Sequence, residues 1–470
     1  MNIENLIDEY KKGNLSVEDH IKYTIDKIEA DTLNAYISVD GDGAINKARE
    51  LDQKLKNGEK LGKLFGIPVV VKDNISYDQM RMTCASKMLE DFTPIFNATV
   101  VENLIKEDAI IVAKSNMDEF AMGGRGESSY FGPTKNPLDE SRAPGGSSSG
   151  SAVAVAKDDV LISLGTDTGG SVRCPASYCN IIGYKPTYSL MSRSGVVSMA
   201  NTLDQVSLFA KNIADIRVLA NTTSSPDPKD MTSILENYDY KYEDYDFKGK
   251  KIGYINTSSN LYKGIEDTVG KDYEKALNQL KELGAELEEV KLEYAKYANP
   301  VYNVVMNSEV SSNMSRFDGV RFGYQADKYE NVEELFVKSR SEGLGEEVQR
   351  RIALGTMYLS ANDDQKIYKK GLKIRSLIKN ELEDLFKKYD FIITPTTTNL
   401  APKLGEANDD PLSDFRSDGF NVIVNLAGMC GISLPVRKGL SGSVQLIADR
   451  FEDNNLLNAS EKFLRSINEN

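Results

Sequence analysis

One histidine, His20, serves a chain of 470 residues, and tryptophan is absent. The scarcity of imidazole removes the usual base that activates a serine or cysteine nucleophile. Metal ligands are short as well. With one histidine and four cysteines, Cys84, Cys174, Cys179 and Cys430, and no CxxC pair among them, a zinc site is not expected. Four cysteines cannot staple a chain of this length, which fits a reducing compartment and predicts a cytoplasmic location. No stretch approaches the roughly eighteen apolar residues that suggest a membrane span. The N-terminal MNIENLIDEYKKG is charged from its start and lacks the apolar core of a secretory signal. Positive charge is also in deficit: 57 Lys and Arg stand against 71 Asp and Glu, a formal net charge of −14. Such a surface repels a phosphate backbone, so the chain alone is not expected to grip nucleic acid. Neither GxxxxGK[ST] nor a full GxGxxG occurs, which leaves nucleotide binding without support.

What is present is an ordinary globular composition, 40% apolar, enough for a substantial core. Through about residue 57 the pattern is helical, with Ser16 and Asp19 forming a capping box before an apolar-periodic stretch, and His20 is expected on a solvated helix face. From GIPVVVKDN onward, short apolar runs such as AIIVAKS and DDVLISLGT alternate with helical segments. That alternation predicts an α/β fold, a mixed central sheet covered by helices on both faces, with residues 1–470 as one domain. Residues 224–245, rich in Asp and Tyr, read as a polar surface connection.

Chemistry concentrates in three places. GTDTGGSVRCP sets Ser171 on a Gly169-Gly170 turn after a buried strand, a geometry that exposes a hydroxyl. There the successive amides of Thr168, Gly169, Gly170 and Ser171 could hold a developing oxyanion. A tight structural turn is the competing reading, and the GxSxG elbow is absent. Lys72 is the candidate base, because it ends the apolar run IPVVV and burial disfavours an ammonium. Its competing reading is a buried ion pair with a carboxylate such as Asp73. The tract PGGSSSGSAVAVA offers a capped surface loop, an anion cradle or a catalytic serine relay. Cys174 and Cys179, without a histidine partner, read as packing residues.

Together VVVKDN, PGGSSSGSA and GTDTGGSVRCPASYCNIIGYKPT resemble the amidase signature family over nearly the whole chain. The resemblance implies the amidase-signature fold, with Lys72 as base, Ser147 after a cis peptide bond as relay, and Ser171 as the acyl-forming nucleophile. NMDEFAMG, GPTKNP, SSNMSRFDGVRFGY, RRIALGT, YKKGLKIRSLI and VNLAGMCGISLP are similar to one branch of that family, the glutamine-hydrolysing A subunits of tRNA-dependent amidotransferases. That branch implies ammonia release from glutamine, used by a partner to amidate mischarged Glu-tRNA(Gln), Asp-tRNA(Asn) or both. It implies a heterotrimer with B and C subunits, tRNA contacted mainly through the B subunit, ATP and Mg used by that partner, and no cofactor in this chain. By the same similarity Arg351 would pair with the substrate carboxylate, Asp418 with its ammonium, and Tyr302 would hydrogen-bond nearby. The sequence departs from the family at Cys174, where glutamine is common, and at GGRGESS, where a serine-richer loop is usual. A stand-alone amidase for neutral amides is the alternative enzyme, and a silent scaffold the alternative of another class.

Overall fold

A computed structural model describes residues 1–257, 264–360, 365–406 and 419–469. Among them the strands are β1 (Tyr36–Val39), β2 (Pro68–Lys72), β3 (Ile110–Ser115), β4 (Ile162–Asp167), β5 (Ile182–Lys185), β6 (Gln205–Ala210), β7 (Lys251–Tyr254), β8 (Glu286–Glu289), β9 (Phe391–Pro395), β10 (Cys430–Pro435) and β11 (Ser443–Ala448). They form one sheet in the order β1-β3-β2-β4-β6-β5-β10-β11-β9-β7-β8. It is mixed. β3, β2 and β4 run parallel, as do β9, β7 and β8, and the pairs between those two groups are antiparallel.

Side chains alternate across a strand, so a strand buried at every position is covered on both faces. β2, β3, β4 and β6 are buried along their whole length, which places helices above and below the sheet centre. The β-branched run Val69–Val71 suits such a position. At the far edge β8 reads ELEE and is mostly exposed; its charges discourage pairing with another chain.

The N-terminal segment is helical over Ile3–Lys12, Val17–Glu29 and Gly41–Lys56, and the Asp19 N–H donates to Ser16 Oγ at 3.0 Å, as the capping box requires. Two details differ from expectation. β1 interrupts the helices and pairs antiparallel with β3 at the sheet edge. His20 is half-buried rather than solvated, hydrogen-bonded through Nδ1 to the Tyr10 hydroxyl, and burial pushes its pKa down to about 4. Residues 224–245 lack regular structure but are pinned to the body. Asp227 accepts from Thr99 Oγ1 at 2.6 Å, Asp230 pairs with Arg193, and Tyr240 is buried. No helix among the described residues is long and apolar enough to cross a membrane.

Lys72 ends β2 and Asp167 ends β4, neighbouring parallel strands, so both residues emerge at the carboxyl edge of the sheet. Open α/β sheets carry their binding crevices at that edge. The helix Ser149–Ala156 packs across β2, β3 and β4. It sits so close that a Cβ on Gly150 would lie 2.0 Å from the Ala35 carbonyl oxygen, which already accepts from Asn116 N at 2.8 Å. Alanine would gain about 1 kcal/mol in helix propensity, but rigid backbone cannot yield to that contact. Gly150→Ala is therefore expected to destabilise by about 1–3 kcal/mol net, read as a lower urea midpoint at unchanged slope.

Candidate active site

Lys72 is fully buried, and its environment is made of hydroxyls. Its Nζ lies 2.7 Å from Ser147 Oγ, 2.9 Å from Ser148 Oγ and 3.0 Å from Thr166 Oγ1. No carboxylate touches it among the described residues. Burial disfavours the ammonium and brings the pKa down to about 7, with the more distant Asp118, Asp167 and Asp204 pulling it partly back. The ion pair with Asp73 does not form. Asp73 turns instead toward Lys114, 3.7 Å away, and accepts from Thr83 N at 2.8 Å and from the Thr83 hydroxyl.

Ser147 follows a cis peptide bond from Gly146, and its neighbour Ser148 donates its N–H to the Ser171 carbonyl at 3.2 Å. That bond brings the serine tract against the Gly169-Gly170 turn, where Ser171 is partly exposed while its surroundings are buried. Behind the turn stands a buried fork. Arg173 donates through Nε and Nη2 to the two oxygens of Asp167 at 3.1 and 2.9 Å, and its remaining donors reach Gln445, Asn425 and the Asn421 carbonyl. Burial alone would raise the Asp167 carboxyl, but the Arg173 guanidinium holds it well below the usual carboxylate range. Asp167 also accepts from the N–H of Gly170 at 2.9 Å and of Val172 at 3.1 Å, which fixes the path of the turn.

The chain matches the profile of the amidase family over residues 19–457. It belongs to the amidase family. It is 44% identical over 469 residues to the A subunit of the glutamyl-tRNA(Gln) amidotransferase of Thermoanaerobacter pseudethanolicus, covering 98% of this chain and 96% of that one. The Staphylococcus aureus protein of the same name is 43% identical over 472 residues, 99% of this chain and 97% of its relative. A crystal structure of the Thermotoga maritima protein, again the A subunit of a glutamyl-tRNA(Gln) amidotransferase, superimposes with a TM-score of 0.77 at 36% identity, over 97% of this chain and 94% of that one.

This amidase-family fold brings one of the three recognition candidates, Tyr302, to the turn and sets a second, Arg351, against the same helix. Gly169 has no side chain where the Tyr302 ring stands: a Cβ there would lie 2.6 Å from Tyr302 Oη. Tyr302 and Met306 lie one turn apart on the helix Ala298–Met314, and Arg351 Nη1 contacts Met306 Sδ at 3.5 Å. Arg351 also donates through Nε to Glu347 at 2.7 Å. The Arg351 side chain is only 11% exposed. Asp418 lies outside the described residues.

One detail of the oxyanion turn is corrected. The amides from Thr168 to Ser171 do not all converge on one spot, because the Gly170 N–H is given to the Asp167 carboxylate. Thr168 and Gly169 keep their place in the turn, anchored by the Thr168 hydroxyl, which donates to Asp204 at 2.7 Å. Burial raises the Asp204 carboxyl to about 6. Cys174 packs with Tyr178 and Ala401 in a small apolar cluster, and burial pushes the Cys179 thiol up, so both behave as packing residues.

Several functional neighbours escaped sequence reasoning. Ser148 shares a tract with Ser147 but nothing in its spacing marks which hydroxyl meets Lys72. Thr166 is visible only as part of a strand. Asn74, whose Nδ2 donates to Thr166 Oγ1 at 3.1 Å, directly follows VVVKD. Arg173 left a signal, a lone cation inside the apolar stretch after the nucleophile. Removing it strands a buried carboxylate, so Arg173→Met is expected to cost about 3–5 kcal/mol in urea unfolding, and Asp167→Asn added to it should recover part of that loss.

Proposed function

We propose that this chain hydrolyses glutamine to glutamate and ammonia as the A subunit of a tRNA-dependent amidotransferase. The observation that carries the chemistry is the 2.7 Å contact between a fully buried Lys72 amine and Ser147 Oγ. The similarity to amidotransferase A subunits over almost the whole chain supports the substrate. An amine with a pKa near 7 is neutral in a large fraction of molecules at neutral pH and can act as a base. Lys72 takes a proton from the Ser147 hydroxyl, which takes one from Ser171 as its oxygen attacks the carboxamide carbon. The carbonyl electrons move onto oxygen, where the amides of the 168–171 turn other than Gly170 are the available donors. When the tetrahedral species collapses, the relay returns its proton to the departing amine, ammonia leaves and a glutamyl ester remains on Ser171. Water, its proton drawn through Ser147 to Lys72, then attacks the ester, and as that tetrahedral species collapses the relay returns the proton to the Ser171 oxygen and glutamate leaves.

Arg351 would pair with the α-carboxylate, Asp418 with the α-ammonium, and Tyr302, which stands against the turn, would hydrogen-bond nearby. The B and C subunits complete the heterotrimer in this reading. The B subunit uses ATP and Mg to activate the tRNA-borne carboxylate and makes most contacts with tRNA, in keeping with the acidic charge of this chain and a cytoplasmic location. No cofactor chemistry falls to the residues described above.

Three outcomes follow. Ser171→Ala should abolish ammonia release from glutamine, measured on the co-purified complex. Because the neutral amine is the active form, kcat/KM for glutamine should fall about tenfold per pH unit below the Lys72 pKa of about 7 and level off above it; a profile flat from pH 5 to 8 would remove Lys72 as base. Arg351→Met should lower kcat/KM for glutamine by about 10- to 100-fold, the worth of a charged hydrogen bond, while turnover of a neutral aliphatic amide falls far less. Unchanged glutamine turnover would favour the stand-alone amidase.

A further inference from the structure

Two adjacent carboxylates, Asp118 and Glu119, are buried within NMDEFAMG and take no part in the relay. They face different elements. The Asp118 carboxylate gathers the main-chain N–H groups of Gly126, Glu127 and Ser128 at 3.1 to 3.2 Å and the Ser128 hydroxyl at 2.9 Å. This holds the GGRGESS loop closed, and within that loop the Gly124 carbonyl accepts from Gly146 N at 2.8 Å. The Asp118 N–H in turn donates to the Ser147 carbonyl at 3.2 Å. A Cβ on Gly146 would lie 2.0 Å from Asp118 Oδ2, so the carboxylate packs directly against the peptide that carries the relay serine.

Glu119 reaches the other way. Its two oxygens accept from Gly345 N at 3.1 and 2.9 Å, and Oε1 also accepts from the Ser86 hydroxyl. Gly345 is the N-cap residue of the helix Glu346–Tyr358, which carries Arg351, and that cap has no side-chain hydrogen bond of its own. A Cβ on Gly345 would lie 2.2 Å from Glu119 Oε2. Burial raises the Glu119 carboxyl to about 7, so its hold on the helix rests first on accepting an N–H that the helix cannot satisfy, and the ionised fraction adds a favourable interaction with the helix dipole.

We infer that Asp118 and Glu119 are paired positioning residues that lock the relay serine and the Arg351 helix into one frame, so that proton relay and carboxylate recognition stay in register. The inference rests on the glutamine reading. One carboxylate fixes Ser147 against Lys72, and the next residue fixes the helix that presents Arg351. Because consecutive residues make the two attachments, one peptide unit separates the catalytic from the recognition half of the site.

The two halves predict different kinetics in the full-length complex. Asp118→Asn replaces one acceptor oxygen by donors facing three N–H groups, and should lower kcat at least tenfold. It also removes one of the charges that retain a proton on Lys72, leaving Asp167, Asp204 and the buried Cys84 thiol around it together with the hydroxyls of Ser147, Ser148 and Thr166. The acid limb of the pH profile should therefore move to lower pH, which a merely structural role would not produce. Ser128→Ala, a gentler cut in the same loop, should lower kcat in the same sense by several-fold. Glu119→Gln should raise KM for glutamine at least fivefold, and lower kcat/KM for glutamine at least fivefold more than for a neutral aliphatic amide. Gly345→Ala, which displaces the same carboxylate, should repeat that signature. Urea midpoints near that of the parent show that each variant folds. Parallel losses of kcat on both substrates with an unmoved acid limb, or kinetics within twofold of the parent in all four variants, overturn the pairing. A parent complex that turns over a neutral amide but not glutamine overturns the glutamine reading, and the Asp118 half is then read on that amide alone.

Discussion

The site depends on a buried amine that is surrounded but not neutralised. Lys72 lies under a sheet edge with three hydroxyl oxygens at hydrogen-bond distance and no carboxylate in contact among the described residues. Two unit charges about 4 Å apart attract by about 4 kcal/mol at an effective dielectric of 20, which would return about three pKa units to a lysine. The net fall of Lys72 to about 7, burial less the pull of the distant carboxylates, is of similar size. A single contact ion pair would thus erase the whole effect and leave an ammonium unable to accept a proton. Much of the local architecture can be understood as keeping carboxylates occupied elsewhere.

Much of the fold was legible because period and composition report burial directly. Val69–Val71 announced a strand covered on both faces, and the same run placed Lys72 at its end. Ser16 and Asp19 announced a helix start that forms as read. The misreadings share a cause, since each turns on a side-chain or strand partner that neither periodicity nor turn signals report, whether it lies near in sequence or far. β1 is a strand because β3 offers it an edge. His20 is half-buried because Tyr10, a helix away, closes over it. The Gly170 N–H is spent on Asp167 because Arg173 has fixed that carboxylate in place. The hydroxyl triad around Lys72 combines residues from a loop, a helix start and a strand, and no local spacing encodes their meeting.

The family resemblance supplied what spacing could not, namely which serine of the tract faces the lysine. The structure adds why the neighbouring serine belongs there too. Ser148 contacts Lys72 through its hydroxyl, donates that hydroxyl to the Thr166 carbonyl at 3.1 Å and gives its N–H to the Ser171 carbonyl. It ties Lys72, the strand and the Ser171 turn together, and leaves the Ser147 hydroxyl free for the proposed relay. Gly169 and Gly170 have a related purpose. Tyr302 and Asn421 press against them where side chains would stand, so the turn that Asp167 fixes from within is also held from outside by two helices.

The carboxylates that act on this amine make the same point about charge. Asp167 is matched by Arg173 and Asn425, Asp118 by three main-chain N–H groups and a serine, and Asp204 by the Thr168 hydroxyl and the N–H groups of Met199 and Ala200. Each is satisfied by groups that also shape a wall of the site: the nucleophile turn, the loop behind the relay serine, and the start of that turn. Exchanging any of them for an apolar residue would relieve a buried charge, yet it would also release the wall that the charge holds. A protein with one histidine can run hydroxyl chemistry only if its lysine stays near neutrality. Here neutrality and shape are secured by the same bonds, and that explains why so many buried carboxylates crowd a site whose working base must avoid them.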